Sequence, residues 1–114
     1  MFVERYNFGR ITVAGQSYSR DVLILPGEVR SPWWRKEGHR LAMADLEAVW
    51  ADPPEVLVIG QGYYGNMEVP ADTQEDVRQR GVKVWMGHTQ EAVAEFNRLR
   101  EESARVAAAL HLTC

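Results

Sequence analysis

Four consecutive apolar residues, Val56, Leu57, Val58 and Ile59, sit between a proline-bounded turn and a glycine-rich stretch, the pattern of a strand buried on both faces. Upstream, Ile11-Thr12-Val13 and Tyr18 flank Ala14-Gly15-Gln16-Ser17, which predicts a hairpin turning at glycine. Asp21 to Leu25 predicts another strand, ended by Pro26-Gly27. Pro32 and Gly38 interrupt both periodicities, so residues 28–40 read as a loop. From Leu41 to Trp50 the apolar positions Leu41, Leu46, Val49 and Trp50 predict a helix, stopped by Asp52-Pro53-Pro54. A second, mostly polar helix is expected from Ala71 to Arg80, with Val77 as its core contact and Gly81 closing it. Val82 to Met86 predicts a parallel strand. Thr89 is expected to cap a last helix with Ala92, Val93, Phe96 and Leu99 on one face.

The tail, "ARVAAALHLTC", supports two readings. Its alanines favour helix, yet Val106, Ala108, Leu110 and Leu112 alternate with Ala107, Ala109, His111 and Thr113 as a strand would. Propensity alone selects helix.

The strand at 56–59 empties into Gly60-Gln61-Gly62-Tyr63-Tyr64-Gly65, spelled G-x-G-x-x-G. A dinucleotide fingerprint needs its third glycine in the first turn of a helix and an acid at the end of the next strand. Here Asn66-Met67-Glu68-Val69-Pro70 intervenes, and Val82 to Met86 contains no acid. A tight strand-to-loop turn is the better reading. Bare backbone at the carboxyl edge of a sheet is nevertheless where α/β proteins place ligands, so Gly60, Gly62, Tyr63 and Thr89 are candidates for binding a small anion. Gly60→Val is expected to destabilise through strain or crowding.

Composition narrows the field. The 114 residues suffice for one domain, 1–114, with a radius of gyration of about 13 Å. A net charge of −3 makes nucleic acid an unlikely partner, and no apolar run reaches the length of a membrane span. One cysteine, Cys114, agrees with a reducing compartment, and the cytoplasm is the expected location. No cofactor is implied.

Six motifs in order carry a family resemblance: "FGRITVAGQSY" at 8–18, "DVLILP" at 21–26, Trp33 with His39 and Asp45-Leu46, "EVLVIGQG" at 55–62, "TQEAVAEFNRL" at 89–99, and "RVAAALHLTC" at 105–114. The chain resembles the small domain shared by mitochondrial complex I assembly factor 3, adipogenesis-associated domain proteins and prokaryotic proteins of unknown function. The resemblance implies a three-layer α/β fold with a mixed, mostly parallel central sheet, an N-terminal β-hairpin, and the tail as an antiparallel strand of that sheet. On that ground the tail is read as a strand. Gln61 and His88 depart from the residues common in the family, which bears on loop chemistry and leaves the fold untouched.

The resemblance brings no catalytic residues, and none is assigned from the sequence. His39, His88 and His111 lack metal-ligand spacing, so no metal site is expected. Cys114 and His111 would face opposite sides of a strand, which argues against a dyad, and Ser31 and Ser103 lack a nucleophile-elbow context. In the loop, Arg30, Arg35, Lys36 and Arg40 surround Trp33 and Trp34 with only Glu37 opposing. Such ingredients serve protein interfaces, anion contacts or the loop's own packing. The favoured reading is a non-catalytic interaction module with Arg30, Trp33, Trp34, Arg35 and His39 at its interface, of unknown partner; the alternative is a domain that binds a small anionic ligand, or an enzyme, using the cleft at the carboxyl ends of the parallel strands. An edge strand and exposed tryptophans would also suit a homodimer. Under the interface reading, Trp33→Ala leaves thermal stability unchanged.

Overall fold

A computed structural model describes every residue except Ser103, so the expectation at that serine lies outside the described residues. The elements run β1 (Val3–Asn7), β2 (Arg10–Val13), β3 (Gln16–Tyr18), β4 (Val22–Leu25), β5 (Glu28–Arg30), a 3-10 helix (Met43–Ala51), β6 (Val56–Gln61), α1 (Ala71–Gln79), β7 (Lys83–Gly87), α2 (Thr89–Glu101) and β8 (Val106–His111). β1, β2 and β3 form an antiparallel sheet, and the other five strands form a mixed sheet in the order β5-β4-β8-β6-β7.

Alternation of side chains across the mixed sheet makes two cores. Leu23, Leu25, Leu57, Ile59, Ala107 and Ala109 face one side, where they meet Leu46 and Val49 of the 3-10 helix and Val77 of α1. Val22, Ile24, Val58, Val106, Ala108 and Leu110 face the other, against Ala92 and Phe96 of α2 and Val3, Ile11 and Val13 of the small sheet. The result is a three-layer α/β domain with a radius of gyration of 12.5 Å.

The tail is a strand, as the resemblance implies, and it runs antiparallel to β4. It also pairs in parallel with β6, from Val56 opposite Val106 to Gln61 opposite His111, and β6 pairs in parallel with β7. The reversed member of the sheet is therefore β4, a correction to the expectation that the tail would be. All six residues of β8 are buried, so helix propensity is outweighed by a position that covers both faces and both edges. Its alanines keep the middle of the sheet thin enough for layers to pack on either side.

Several boundaries shift by a residue or two, and three elements differ in kind from expectation. Residues 28–40 are not all loop, because Glu28–Arg30 pairs with β4 as β5. The segment expected as an α-helix from Leu41 is a 3-10 helix from Met43, held by Asp45, whose carboxylate accepts from the Ala42 amide at 2.9 Å. Thr89 is the first residue of α2 and not its cap; His88 holds the cap position without a side-chain hydrogen bond.

Candidate functional site

The carboxyl ends of β6 and β8 and the amino end of β4 lie together, and the chemistry-bearing residues gather there. A Cβ on Gly60 would stand 2.8 Å from Thr89 Oγ1 and 2.9 Å from Leu110 Cδ2, so α2 starts directly against the strand. Gly62 has φ +105°, and a Cβ there would meet the Cys114 carbonyl at 2.5 Å. The loop is closed by the chain's own tail. Tyr63 N–H donates to Thr113 O at 2.7 Å and Asn66 N–H to Cys114 O at 2.9 Å.

Thr89 joins these parts. Fully buried, its hydroxyl donates to His111 O at 2.7 Å and accepts from Gly62 N–H at 2.9 Å. The structure thus brings Gly60, Gly62, Tyr63 and Thr89 together, but the Thr89 hydroxyl and the Gly62 and Tyr63 amides already have partners within the protein. Beside them Tyr6 donates to Leu112 O at 2.7 Å, and burial pushes its hydroxyl pKa up to about 12 against the opposing influence of the nearby Thr89 hydroxyl.

Outside this joint the aromatic rings remain in solvent. Phe8, Tyr63 and Tyr64 are 49%, 37% and 63% exposed. Tyr63 and Tyr64 meet edge-on at 5.1 Å, and Phe8 lies 5.8 Å and 6.1 Å from them. Sequence reasoning singled out Tyr63 alone. Phe8 comes from the distant β1–β2 turn, which Gly9 N–H and the Tyr6 hydroxyl, both donating to Leu112 O, draw to this end.

The loop after β5 divides its residues between inside and outside. Trp33 is buried, its indole N–H donating to Asp45 O at 2.9 Å, and the Arg35 guanidinium lies 4.7 Å from its ring centre. Trp34 is 70% exposed beneath Arg20. Arg30 is exposed and pairs with Glu28, and His39 is exposed with its ring edge-on to His111 at 5.6 Å. The sequence placed Trp33 and Arg35 on an outer surface; both side chains are inside.

Arg35 ends in a buried polar cluster. Its Nη2 lies 2.9 Å from Asp21 Oδ2, and Nη2 and Nε donate to Gly38 O. Asp21 Oδ2 also accepts from His111 Nδ1 at 2.8 Å, while Oδ1 accepts from the Leu112 amide at 2.8 Å. Burial alone would raise the Asp21 carboxyl, but the hydrogen bonds from His111 and Leu112 and the charges of His111 and Arg35 outweigh it and hold its pKa below the ordinary value. Two buried atoms, Arg35 Nη1 and His111 Nε2, have no hydrogen-bond partner among the described residues. Two cavities flank the loop: one of about 220 Å³ lined by Arg20, Asp21, Trp34, Arg35, Leu112 and Thr113, and an open cleft of about 760 Å³ between Trp33, Lys36 and the 3-10 helix.

These features define a class, a mixed three-layer α/β domain whose glycine loop is sealed by its own closing strand. Residues 3–111 match the family described as "Protein of unknown function (DUF498/DUF598)", and the chain belongs to it. Among solved structures, the conserved hypothetical protein PH1505 from Pyrococcus horikoshii OT3 has a TM-score of 0.81 at 25% identity, covering 100% of both chains. A protein designated MT938 has a TM-score of 0.81 at 30% identity, covering 99% of this chain and 98% of its own. A Mth938-like domain from Bordetella pertussis shares the fold with a TM-score of 0.74 at 24% identity, over 97% of this chain and 85% of its own. Among the described residues no helix is long and apolar enough to cross a membrane.

Proposed function

We propose that this domain is a non-catalytic protein-interaction module. The observation that carries the reading is the exposed cluster of Phe8, Tyr63 and Tyr64 on a rigid joint. Large aromatics held in water by a well-packed scaffold have the composition of interface hot spots, and their low rotamer freedom reduces the entropy lost on docking. Trp34, with Arg30 and His39 exposed along the same loop, supplies a second anchor of this type. The resemblance to the domain of a complex I assembly factor supports a role in holding another protein. A single cysteine suits a reducing compartment, and the cytosol is the location that goes with this reading.

The test is capture of a partner from native extract, followed by reconstitution from purified components. Tyr64→Ala and Trp34→Ala are expected to weaken the reconstituted complex at least about tenfold, equivalent to about 1.4 kcal/mol, with melting temperatures unchanged. Wild-type affinity in both variants would remove the reading. A second copy of the chain as the only occupant, seen as concentration-dependent mass in sedimentation, would redirect it to self-association.

A further inference from the structure

We propose that β7 is a docking edge for a second copy of this chain, the two β7 strands pairing antiparallel across a dyad at Trp85 and joining two five-stranded sheets into one. The proposal stands independently of the partner-binding reading. It starts from the way the chain treats its other sheet edges. An exposed strand edge invites pairing with other chains, and proteins blunt such edges by covering, shortening or charging them. Along β1 the Asn97 side chain of α2 donates to Val3 O at 2.7 Å and accepts from Val3 N–H at 2.9 Å. β3 is only three residues long. β5 is equally short, lies between Pro26 and Pro32, and carries the Glu28–Arg30 ion pair. β7 has none of these devices. Its five residues end the sheet, and after Lys83 the run Val84-Trp85-Met86-Gly87 is without charge.

Hydrogen-bond parity decides which backbone groups stay open. Lys83 N–H donates to Glu55 O at 3.0 Å, so Lys83, Trp85 and Gly87 turn their amides and carbonyls toward β6, and Val84 and Met86 turn theirs outward. Among the described residues those outward groups meet no partner. The Met86 side chain is 36% exposed at the same edge.

Self-complementarity selects a second copy over a foreign strand. A dyad at Trp85 sets Val84 of one copy opposite Met86 of the other, and each such pair exchanges N–H and C=O hydrogen bonds. This register pairs all five residues of the strand. Lys83, its single charge, falls opposite Gly87 and away from its own image. The side chains fit as well. Val84 packs in the core on the α1 side, and alternation puts Met86 on that same face. Beside Val84 opens a recess of about 560 Å³ lined by Arg78, Gly81, Val82, Lys83 and Val84. Met86 of each copy, opposite Val84 of the other, fills that recess. Because the joined strands run in opposite directions, the clusters of Phe8, Tyr63 and Tyr64 come to stand at opposite ends of the shared sheet. On the partner-binding reading, one dimer therefore presents two docking sites.

The test follows the full chain by sedimentation equilibrium from about 5 μM to about 1 mM, and its amide exchange by NMR at about 1 mM. Dimer mass is expected within that range. Met86→Lys, which sets a third cation beside Arg78 and Lys83 of the other copy, should weaken association at least about tenfold with the melting temperature of the dilute protein unchanged. In the wild type the Val84 amide should exchange at least about tenfold more slowly than in Met86→Lys, while the Trp85 amide, bonded to β6 in both, exchanges alike. If Met86→Lys fails to fold, slower Val84 exchange in the concentrated than in the diluted wild type gives the same support, and equal exchange counts against the edge. Tyr64→Ala should associate as the wild type does, which separates this edge from the aromatic cluster. Monomer mass throughout, or association that survives Met86→Lys or is lost in Tyr64→Ala, overturns the proposal.

Discussion

Trp33 and Trp34 are neighbours in sequence and opposites in the structure. Nothing in the residue types separates them; what does is the Asp45 carbonyl that receives the Trp33 indole and the pocket beneath Arg35. The expectation that Trp33→Ala leaves stability unchanged therefore does not hold for a side chain 6% exposed. Trp33→Ala should cost about 3–5 kcal/mol in urea unfolding, and Trp34→Ala should stay within about 0.5 kcal/mol. Equal losses in both would contradict the buried and exposed assignments. Asp21 gives a pH prediction. Its folded pKa lies below the unfolded one, so its contribution is fully present above the ordinary carboxylate value of about 3.9 and is lost as pH falls through the folded value. Glu95, drawn down by its hydrogen bond to Arg98 at the surface, shifts in the same direction and is screened by salt. In high salt the urea midpoint should fall from pH 5 toward pH 2, and Asp21→Asn, less stable at neutral pH, should show a shallower decline. Parallel slopes in the two proteins would refute the assignment.

Among elements, legibility in the sequence followed the range of the interactions that hold each one. β6 was readable because four adjacent apolar residues report burial on both faces by themselves. β5 was not, since Glu28-Val29-Arg30 is a strand only by virtue of hydrogen bonds to β4. At Thr89 the local signal misled: a threonine ahead of an acid reads as a cap, whereas its hydroxyl bonds to His111 O across the sheet end. The Asp21–His111 pair, 90 positions apart, left no local mark at all. For the joint at the β6 end two variants are informative. Thr89→Val keeps the shape and strands the Gly62 amide and the His111 carbonyl, so a loss of about 1–3 kcal/mol is expected in thermal and urea unfolding. Gly60 lies outside the left-handed region, which removes strain as a reason, but crowding by Thr89 and Leu110 remains. Gly60→Val should cost about 1–3 kcal/mol, and a neutral outcome would show that α2 shifts freely away.

At the level of the whole molecule, two cores share one sheet, and each strand of its centre contributes to both. Damage to either core should therefore be felt by the other. Leu57→Ala on one face and Leu110→Ala on the opposite face should each lower stability by about 2–5 kcal/mol while unfolding stays a single transition with unchanged denaturant dependence. Two separated transitions in either variant would mean that the layers fold independently.

The strand in the middle of the sheet is also the last of its strands in chain order. In chain order the β4–β5 hairpin comes first and β6 with β7 next, and in the sheet these halves are joined only through β8, which lies between them. A nascent chain that has reached residue 105 thus carries two bare apolar edges, open to pairing with other chains. Completion of the sheet therefore waits on one late insertion, that of β8 between β4 and β6.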